Sequence, residues 1–456
     1  MKMKTRWELA NGVDRRWVET LLQDDDGKVV KQSPAKLVTC HHTDRGVFYI
    51  KRSRHKTFLF RPFKYWFKDS PGRWEWGVAQ AMQALGIPVV QHLALCEIWS
   101  TRGLLEDIVV TQGFDGKPLH EAGDVDSIQV MDFVEQCHQK GMVHGDLHPA
   151  NILVHLPSGE LRLADLKGVR IEKKPDSGKQ LMDLAYLNIH FPMPLPEKLL
   201  ELSDRVRRKK MAIRCGRCLK NNREFEPQSH GDSRWQVRKP MMNDELAQVL
   251  AAPDSALTGE SLLKAGHSST VGQSARWVVK RYNFKKPLNL IKDLFRVSKA
   301  KRAFQLGYHL ELVGVATPRV IAVMEDRPLG IALRSYLVME KIAGATDLAA
   351  VDRDGGHLAK RLVKLIGRMH AEGFTHRDLK ASNVLVDPEG KPWLIDLDGL
   401  SYTGRVSIRV AVSNLKRLER GLRGKPIFTV SNRMLFLRHY CRATGFRPSE
   451  LKAVRY

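Results

Sequence analysis

The sequence of 456 residues predicts an α+β fold that occurs twice along the chain. A polar stretch between short apolar segments recurs in each half, and four landmarks of the first half have counterparts at a nearly constant distance. The pairs are Lys51 and Lys280 (229 residues apart), Asp146 and Asp378 (232), Asn151 and Asn383 (232), and Asp165 and Asp396 (231). A constant offset over landmarks this far apart indicates the duplication of a whole domain.

The first half begins with two predicted strands, and Lys51 lies near the end of the second one. Glu75 follows in a predicted helix that includes residues 72–82. A strand lysine paired with a helix glutamate is the arrangement that directs an ammonium group at the α- and β-phosphates of a nucleotide. The alternative is an edge-strand lysine kept for solubility. We predict that Lys51 and Glu75 bind the nucleotide together.

The second half repeats this order with one difference. Residues 262–272 predict a strand and a loop over phosphates, because glycines and small hydroxyl residues let backbone N–H groups approach an anion. Lys280 lies on the next predicted strand. The alignment puts Ala303 or Phe304 where the first half has Glu75, so no Lys–Glu pair is visible here.

A further strand over residues 335–342 is predicted to lead into a hinge between two lobes. In such a hinge the backbone binds the adenine ring of the nucleotide. Glu340 and Ile342 are the residues we assign to this contact.

The polar stretch of the second half has the residue types of a phosphoryl-transfer site. Asp378 would orient an attacking hydroxyl group and accept its proton, and Lys380 would neutralise charge on the moving phosphoryl group. Asn383 and Asp396 would hold Mg²⁺, a hard cation that prefers oxygen ligands. The apolar residues on either side predict two short strands that hold these side chains at their ends.

The first half has counterparts of three of these residues. Asp146 is the candidate catalytic residue, and Asn151 and Asp165 are the candidate metal ligands. The alternative for both halves is a polar surface turn between two strands.

Charge suggests an anionic partner. The formal net charge is +25, from 75 Lys plus Arg against 50 Asp plus Glu. The motifs of nucleic-acid-binding folds do not accompany this charge, so we disfavour nucleic acid and expect an anionic membrane surface. No run of eighteen apolar residues and no secretory signal is visible, so no membrane span is expected. Residues 58–68 alternate aromatic and cationic side chains, which suits either core packing or the membrane interface.

The middle of the chain contains a pair of cysteines and, after it, a polar segment. Cys215 and Cys218 form a lone CxxC, and a zinc site would need two more ligands. Residues 223–244 are polar and contain proline. We therefore place a domain boundary near residue 245, with predicted domains at residues 1–244 and 245–456.

Residues 260–445 resemble the lipopolysaccharide core kinases, the Kdo/heptose kinase family with a protein-kinase-like fold. The first half resembles the same family around Lys51 and Glu75, and its stretch from His144 to Asn151 is also similar to aminoglycoside and choline kinases. The similarity in the second half lies in Val279-Lys280-Arg281-Tyr282, residues 314–318, His376-Arg377-Asp378, Ile395-Asp396-Leu397-Asp398, Asn414-Leu415-Lys416-Arg417-Leu418 and Phe436-Leu437-Arg438-His439-Tyr440.

This resemblance implies two tandem bilobal protein-kinase-like domains that use ATP and Mg²⁺. The implied acceptor is a sugar hydroxyl of the lipid-linked lipopolysaccharide core. The implied location is cytoplasmic, peripheral to the inner face of a Gram-negative-type inner membrane.

Two departures from the family keep other functions open. The family has a single domain, so one half of this chain could be regulatory or the protein a non-catalytic scaffold. Lys380 and Ser382 look more like a serine/threonine protein kinase than a sugar kinase. A small-molecule kinase is the remaining alternative.

Overall fold

The computed structural model describes residues 3–55, 65–173, 176–230, 233–283, 297–326, 334–351 and 356–453. Contacts divide the chain into two compact units, Met1–Arg207 and Arg208–Tyr456. Within the described ranges, no helix is both long and apolar enough to cross a membrane.

The first unit contains a six-stranded antiparallel sheet, two small sheets and a set of helices. In spatial order the large sheet consists of Lys4–Leu9, His92–Ser100, Gly103–Gln112, Gly46–Arg54, Lys36–Thr43 and Lys28–Ser33. The small sheets consist of Glu160–Leu163, Ile152–His155 and Lys117–Pro118, and of Arg170–Ile171 with Met142–Val143. The helices are Arg15–Gln23, Pro71–Ala84, Ser127–Gln139 and Ser177–His190, and the helix Glu197–Cys215 begins in this unit.

The second unit has the same kinds of elements around a seven-stranded sheet. In spatial order that sheet consists of Phe225–His230, Ser233–Arg238, Val320–Asp326, Arg334–Glu340, Trp277–Tyr282, Ser269–Gln273 and Leu262–Ala265. The small sheets consist of Thr346–Asp347, Val384–Val386 and Pro392–Leu394, and of Phe374–His376 with Leu400–Tyr402. The helices are Asp244–Ala251, Lys299–Leu312, Gly356–Ala371, Ile408–Leu422, Val430–Thr444 and Pro448–Ala453.

Because side chains alternate along a strand, each candidate lysine lies on one face of its sheet and a helix packs on the opposite face. In the strand Gly46–Arg54, Phe48 and Ile50 are buried in a cluster with residues of the helix Arg15–Gln23. Successive side chains of a strand point to opposite faces, so Lys51 lies on the other face. In the second unit Val279 is buried with residues of the helix Asp244–Ala251. Lys280 is the next residue of the strand, so it lies on the face opposite to that helix.

The start of the second unit differs from the boundary predicted at residue 245. Ser233–Arg238 is hydrogen-bonded beside Val320–Asp326, which places it inside the second sheet. It also corresponds to Lys4–Leu9, which lies beside His92–Ser100 in the first unit. Both ends of these two strands differ by 229 residues, the offset between Lys51 and Lys280. This strand was not predicted, because the surrounding segment is polar.

The helix that follows each lysine strand is anchored in the same way in both units. Ser70 caps the helix Pro71–Ala84 and donates a hydrogen bond of 2.8 Å to Glu97, which pairs with Arg73 at 2.7 Å. In the second unit Ser298 is the cap, and Lys301 pairs with Glu325 at 2.5 Å. All three positions are 228 residues apart. This offset aligns Glu75 with Ala303, one of the two residues predicted.

Candidate active sites

In the first unit Lys51 lies between two carboxylates. Its Nζ is 2.5 Å from Glu75 Oε2 and 3.3 Å from Asp165 Oδ1. Burial alone would lower the pKa of Lys51, but the two carboxylates outweigh it and raise that pKa. Burial would likewise raise the pKa of Glu75, but His92 and Lys51 lower it to about 2. The structure thus places a charged lysine and a charged glutamate in contact, as the sequence predicted.

The candidate metal and catalytic residues of the first unit are joined by backbone hydrogen bonds. Asn151 Nδ2 donates to the carbonyl of Asp146 at 3.0 Å, and the N–H of Ala164 donates to the carbonyl of Asn151 at 2.9 Å. Asp165 follows with φ of 52°, in the left-handed region. These contacts place Asp146, Asn151 and Asp165 on adjoining loops.

In the second unit Lys280 has a different set of partners. Its Nζ is 2.8 Å from Asp396 Oδ1 and 2.8 Å from Asp398 Oδ2. The hydroxyl of Tyr282 donates to Asp398 Oδ1 at 2.7 Å. Burial would lower the pKa of Lys280, but Asp398 and Asp396 raise it above the ordinary value. No role was predicted for Asp398 or Tyr282 from the sequence, because neither has the residue type of the usual helix partner.

The catalytic loop of the second unit repeats the contacts of the first. Asn383 Nδ2 donates to the carbonyl of Asp378 at 2.8 Å, and the N–H of Ile395 donates to the carbonyl of Asn383 at 2.9 Å. Asp396 has φ of 58°. Among the residues described, Asp165 and Asp396 are the two non-glycine residues with positive φ. The same backbone geometry therefore presents both candidate metal aspartates.

Asp378 carries an ion pair of its own. Its Oδ2 lies 3.0 Å from Lys380 Nζ, and both side chains are about half exposed. The hydrogen bond from Lys380 is the main reason that the pKa of Asp378 is lowered. Asp378 is therefore ionised at neutral pH, the state in which a carboxylate accepts a proton.

Each candidate catalytic loop is held by a helix residue that was not predicted from the sequence. In the first unit the carboxylate of Asp183 accepts hydrogen bonds from the backbone N–H groups of His144 and Gly145 at 2.6 and 2.8 Å. In the second unit Asn414 accepts from the N–H of His376 at 3.1 Å. Asn414 lies in a motif that carried the family resemblance, but its partner lies 38 residues away.

A second lysine lies in the first site. Lys36 follows a two-residue turn after Ser33 and begins the strand that pairs with the lysine strand. Burial, and then repulsion from Lys51, lower its pKa to about 8. Strand pairing places Ser269 at the corresponding point of the second unit, because Val38 pairs with Lys51 and Val271 pairs with Lys280. The lysine was not predicted, since this proximity depends on strand register.

The predicted hinge residues lie at the end of a central strand. Arg334–Glu340 ends at Glu340, whose N–H donates to the carbonyl of Arg319 at 2.8 Å. Ile342 lies two residues beyond, and its carbonyl accepts a hydrogen bond of 3.4 Å from Ala345. Their roles in binding adenine stay predictions.

Two further features predicted from the sequence are the CxxC pair and the aromatic and cationic segment of residues 58–68. Cys215 and Cys218 are free thiols, and burial raises the pKa of each. Residues 56–64, which include most of the aromatic and cationic segment, lie outside the described residues. Of the rest of that segment, Trp66 is 56% exposed and Phe67 91% exposed.

Comparison with known proteins finds a family match in the second unit, and it finds similar proteins among curated sequences and solved structures. Residues 252–440 match the model of the Lipopolysaccharide kinase (Kdo/WaaP) family. The 3-deoxy-D-manno-octulosonic acid kinase of Xylella fastidiosa (strain M12) is 32% identical over 126 residues, which cover 26% of this chain and 48% of that protein. The 3-deoxy-D-manno-octulosonic acid kinase of Stenotrophomonas maltophilia (strain K279a) is 36% identical over 139 residues, which cover 28% of this chain and 53% of that protein.

The chain thus spans about half the length of the curated relatives it matches. One similar solved structure is described as "WaaP in complex with acyl carrier protein". It is 21% identical, with a TM-score of 0.35, and the match covers 44% of this chain and 83% of that one. The resemblance of residues 260–445 to lipopolysaccharide core kinases is confirmed by the family match, and the α+β fold class is confirmed by the strands and helices of both units.

Proposed function

We propose that the second unit is an ATP-dependent kinase that phosphorylates a sugar hydroxyl of the lipopolysaccharide core, since residues 252–440 match the lipopolysaccharide kinase (Kdo/WaaP) family. The observation that carries this proposal is the contact of 2.8 Å between Lys280 and Asp396, which come from a strand and a loop 116 residues apart. The loop that holds Asn383 against Asp378 is hydrogen-bonded to the residue before Asp396. The residues that we propose for nucleotide binding, metal binding and catalysis therefore adjoin one another, as a phosphoryl-transfer site requires.

ATP is the proposed phosphoryl donor. The Lys280 ammonium, charged and buried, would contact the α- and β-phosphates. The backbone of Glu340 and Ile342, at the end of the central strand, would bind adenine. Because the N–H of Glu340 is already bonded to Arg319, its carbonyl is the group that would accept from the adenine amino group.

Asp396 and Asn383 would hold Mg²⁺. They offer a carboxylate and an amide oxygen, which suit a hard cation, and the hydrogen bond from Ile395 to Asn383 fixes the two loops together. When bound, the ion supplies charge neutralisation at the phosphates. Asp165 and Asn151 offer the same pair of donors in the first unit.

Asp378 would take the proton of the acceptor. The sugar oxygen forms a bond to the γ-phosphorus as its proton passes to the Asp378 carboxylate, and the bond from that phosphorus to the ADP oxygen breaks. Lys380, 3.0 Å from Asp378, would neutralise charge that develops on the transferring group. The products are the sugar phosphate and ADP.

We further propose that the units are two tandem bilobal protein-kinase-like domains. The matching strands, helix anchors and left-handed aspartates support this, and they favour a second domain that includes Ser233–Arg238. Lys51, Glu75, Asn151 and Asp165 would then bind Mg-ATP in the first domain, and Asp146 would be its catalytic residue. Because the first domain has His148 where the second has Lys380, we expect the second to be at least as active.

We also propose that the protein acts at the cytoplasmic face of the inner membrane, as a peripheral protein. The net charge of +25 favours an anionic surface, and the exposed Trp66 and Phe67 beside Lys68 suit the headgroup zone. In a flotation assay with anionic vesicles, the double variant Trp66→Ser, Phe67→Ser should bind the vesicles less than the unsubstituted protein does. The matched control is Val29→Ser, Val30→Ser, which removes exposed apolar side chains elsewhere in the same unit.

The central experiment identifies the molecule that accepts the phosphoryl group. The full chain is incubated with labelled ATP, Mg²⁺ and core glycolipid from cells that lack the protein, and mass spectrometry then locates added phosphate. A glycolipid that gains one phosphate supports the proposal, and Asp378→Ala is the negative control. Phosphate found on protein alone would identify a protein kinase, and no transfer to any acceptor would favour a scaffold.

A further inference from the structure

The two candidate lysines are held by carboxylates from different elements. In the first unit the partner is Glu75 on the helix Pro71–Ala84. The helix anchors place Ala303 at that position in the second unit, and the side chain there is buried and apolar. Lys280 instead contacts Asp398, two residues after Asp396. The residue two after Asp165 in the first unit is Lys167, so the carboxylate has changed elements between the units.

We propose that Asp398 is the positioning residue of Lys280 and takes, in the second unit, the place that Glu75 has in the first. This inference rests on the proposed function of the second unit. The distance from Lys280 Nζ to Asp398 Oδ2 is 2.8 Å, which is the distance of a close ion pair. Only 6% of Lys280 is exposed, so its buried ammonium depends on protein oxygens for partners, and Asp398 supplies one of them.

Tyr282 completes this arrangement by fixing Asp398. Its hydroxyl donates to Asp398 Oδ1 at 2.7 Å, while Oδ2 of the same carboxylate accepts from Lys280. Burial, and then the charge of Asp398, raise the pKa of Tyr282 well above its ordinary value, so the hydroxyl keeps its proton and remains a donor. The first unit has Ser53 at the corresponding position, and a serine side chain is much shorter.

The exchange has a consequence for control of the two sites. In the first unit a displacement of the helix Pro71–Ala84 would carry Glu75 away from Lys51. In the second unit Asp398 belongs to the same loop as Asp396, and Tyr282 belongs to the same strand as Lys280. The lysine of the second unit is therefore positioned without a carboxylate from the helix Lys299–Leu312.

A metal ligand is the competing role for Asp398, since it lies near Asp396. The two roles differ in their dependence on Mg²⁺ and on Lys280. A positioning residue acts through the lysine, so its loss should weaken ATP with or without Mg²⁺ and should cost nothing more once Lys280 is gone. A metal ligand should matter only when Mg²⁺ is present.

The test measures the dissociation constant of ATP by calorimetry on the full chain, with Lys51→Met present throughout to weaken binding at the first unit. Asp398→Asn should weaken ATP about tenfold with Mg²⁺ and with EDTA, as expected for a lost hydrogen bond to a charged group. Lys280→Met should cause a similar loss. The double variant Asp398→Asn, Lys280→Met should bind no more weakly than Lys280→Met alone.

Tyr282→Phe is a second, milder variant that leaves both charges in place. It should weaken ATP in the same direction by a smaller factor, and thermal unfolding checks that each variant is folded. Unchanged ATP affinity in folded Asp398→Asn, or in Tyr282→Phe if Asp398→Asn does not fold, would overturn the inference, as would a loss seen only with Mg²⁺. Absence of ATP binding in the parent Lys51→Met chain would instead overturn the proposed function of the second unit, and the inference with it.

Discussion

The amide oxygen of Asn414 accepts a hydrogen bond from the backbone N–H of His376 at 3.1 Å. The same oxygen lies 3.1 Å from His370 Nε2. Because an amide oxygen can only accept, the Nε2 of neutral His370 carries the proton and donates to Asn414, which leaves Nδ1 to accept from the hydroxyl of Tyr440 at 2.5 Å. One side chain therefore satisfies two buried donors just before the catalytic loop of the second unit.

Asn414→Ala should destabilise the second unit and slow its reaction. The N–H of His376 and the Nε2–H of His370 would each lose a partner, at about 1–3 kcal/mol apiece. Urea unfolding measures the loss of stability, and glycolipid phosphorylation measures the rate. Asn414→Asp, which keeps an oxygen acceptor and resembles Asp183 of the first unit, should lose less. Equal stability of Asn414→Ala and the parent chain would refute this role.

Acid should destabilise the second unit through His370. Burial lowers the pKa of His370 to about 4, so the folded state stays neutral where the unfolded state, with an ordinary value near 6.5, takes up a proton. The free energy of unfolding should therefore fall as the pH drops from about 6.5 towards 4, by up to roughly 3 kcal/mol from this residue. Urea unfolding at pH 7 and pH 5 measures the fall.

His370→Gln is the matched variant for that experiment, because glutamine cannot titrate. It should show a smaller difference in unfolding free energy between pH 7 and pH 5 than the parent chain. An unchanged difference would mean that His370 is not the group responsible.

The catalytic aspartates should separate the activities of the two units. Asp378→Ala should reduce turnover at its own site by a factor of roughly 10²–10⁴, the range expected for loss of a positioned proton acceptor. Asp146→Ala should do the same at the first site. Because we expect the second site to be at least as active, total phosphorylation should fall at least as far in Asp378→Ala. Full activity in Asp378→Ala with none in Asp146→Ala would reverse the assignment, and full activity in the double variant would exclude a kinase.

Lys36 should make nucleotide binding at the first unit depend on pH. With its pKa lowered to about 8, the side chain is mostly charged at pH 7 and loses that charge as the pH rises through 8. ATP affinity, measured with Lys280→Met present to weaken binding at the second unit, should therefore fall between pH 7 and pH 9. Lys36→Ser, which introduces the residue type of Ser269, should bind ATP more weakly at pH 7 and depend less on pH. The same pH profile in both proteins would contradict this role.

The sequence predicted what depends on local patterns. Lys51 and Lys280 lie in strands rich in apolar residues, and the candidate catalytic and metal residues lie beside short apolar segments, so each could be found without tertiary information. Their roles as ligands and catalysts stay predictions that the variants above would test.

What the sequence did not predict depends on contacts between distant segments. Asp183, Asn414 and Lys36 meet their partners only through helix packing or strand register. Ser233–Arg238 alternates the buried Trp235 and Val237 with polar residues, but it lies in a segment that is polar and contains proline, so it resembled a linker. The carboxylate of Asp398 was overlooked because a helix glutamate was expected.

The left-handed backbone at Asp165 and Asp396 is a source of conformational strain at both candidate metal sites. That conformation costs a residue with a side chain about 1–2 kcal/mol relative to the right-handed region, and glycine adopts it freely. Glycine at either position would relieve the strain but remove the carboxylate. The same change would remove an ion pair from a largely buried lysine, because Asp165 contacts Lys51 and Asp396 contacts Lys280. A laboratory selection for heat resistance alone, with no demand for phosphorylation, would therefore weigh the two contributions: drift to glycine would mean that backbone strain outweighs the ion pair, and retained aspartates would mean the reverse.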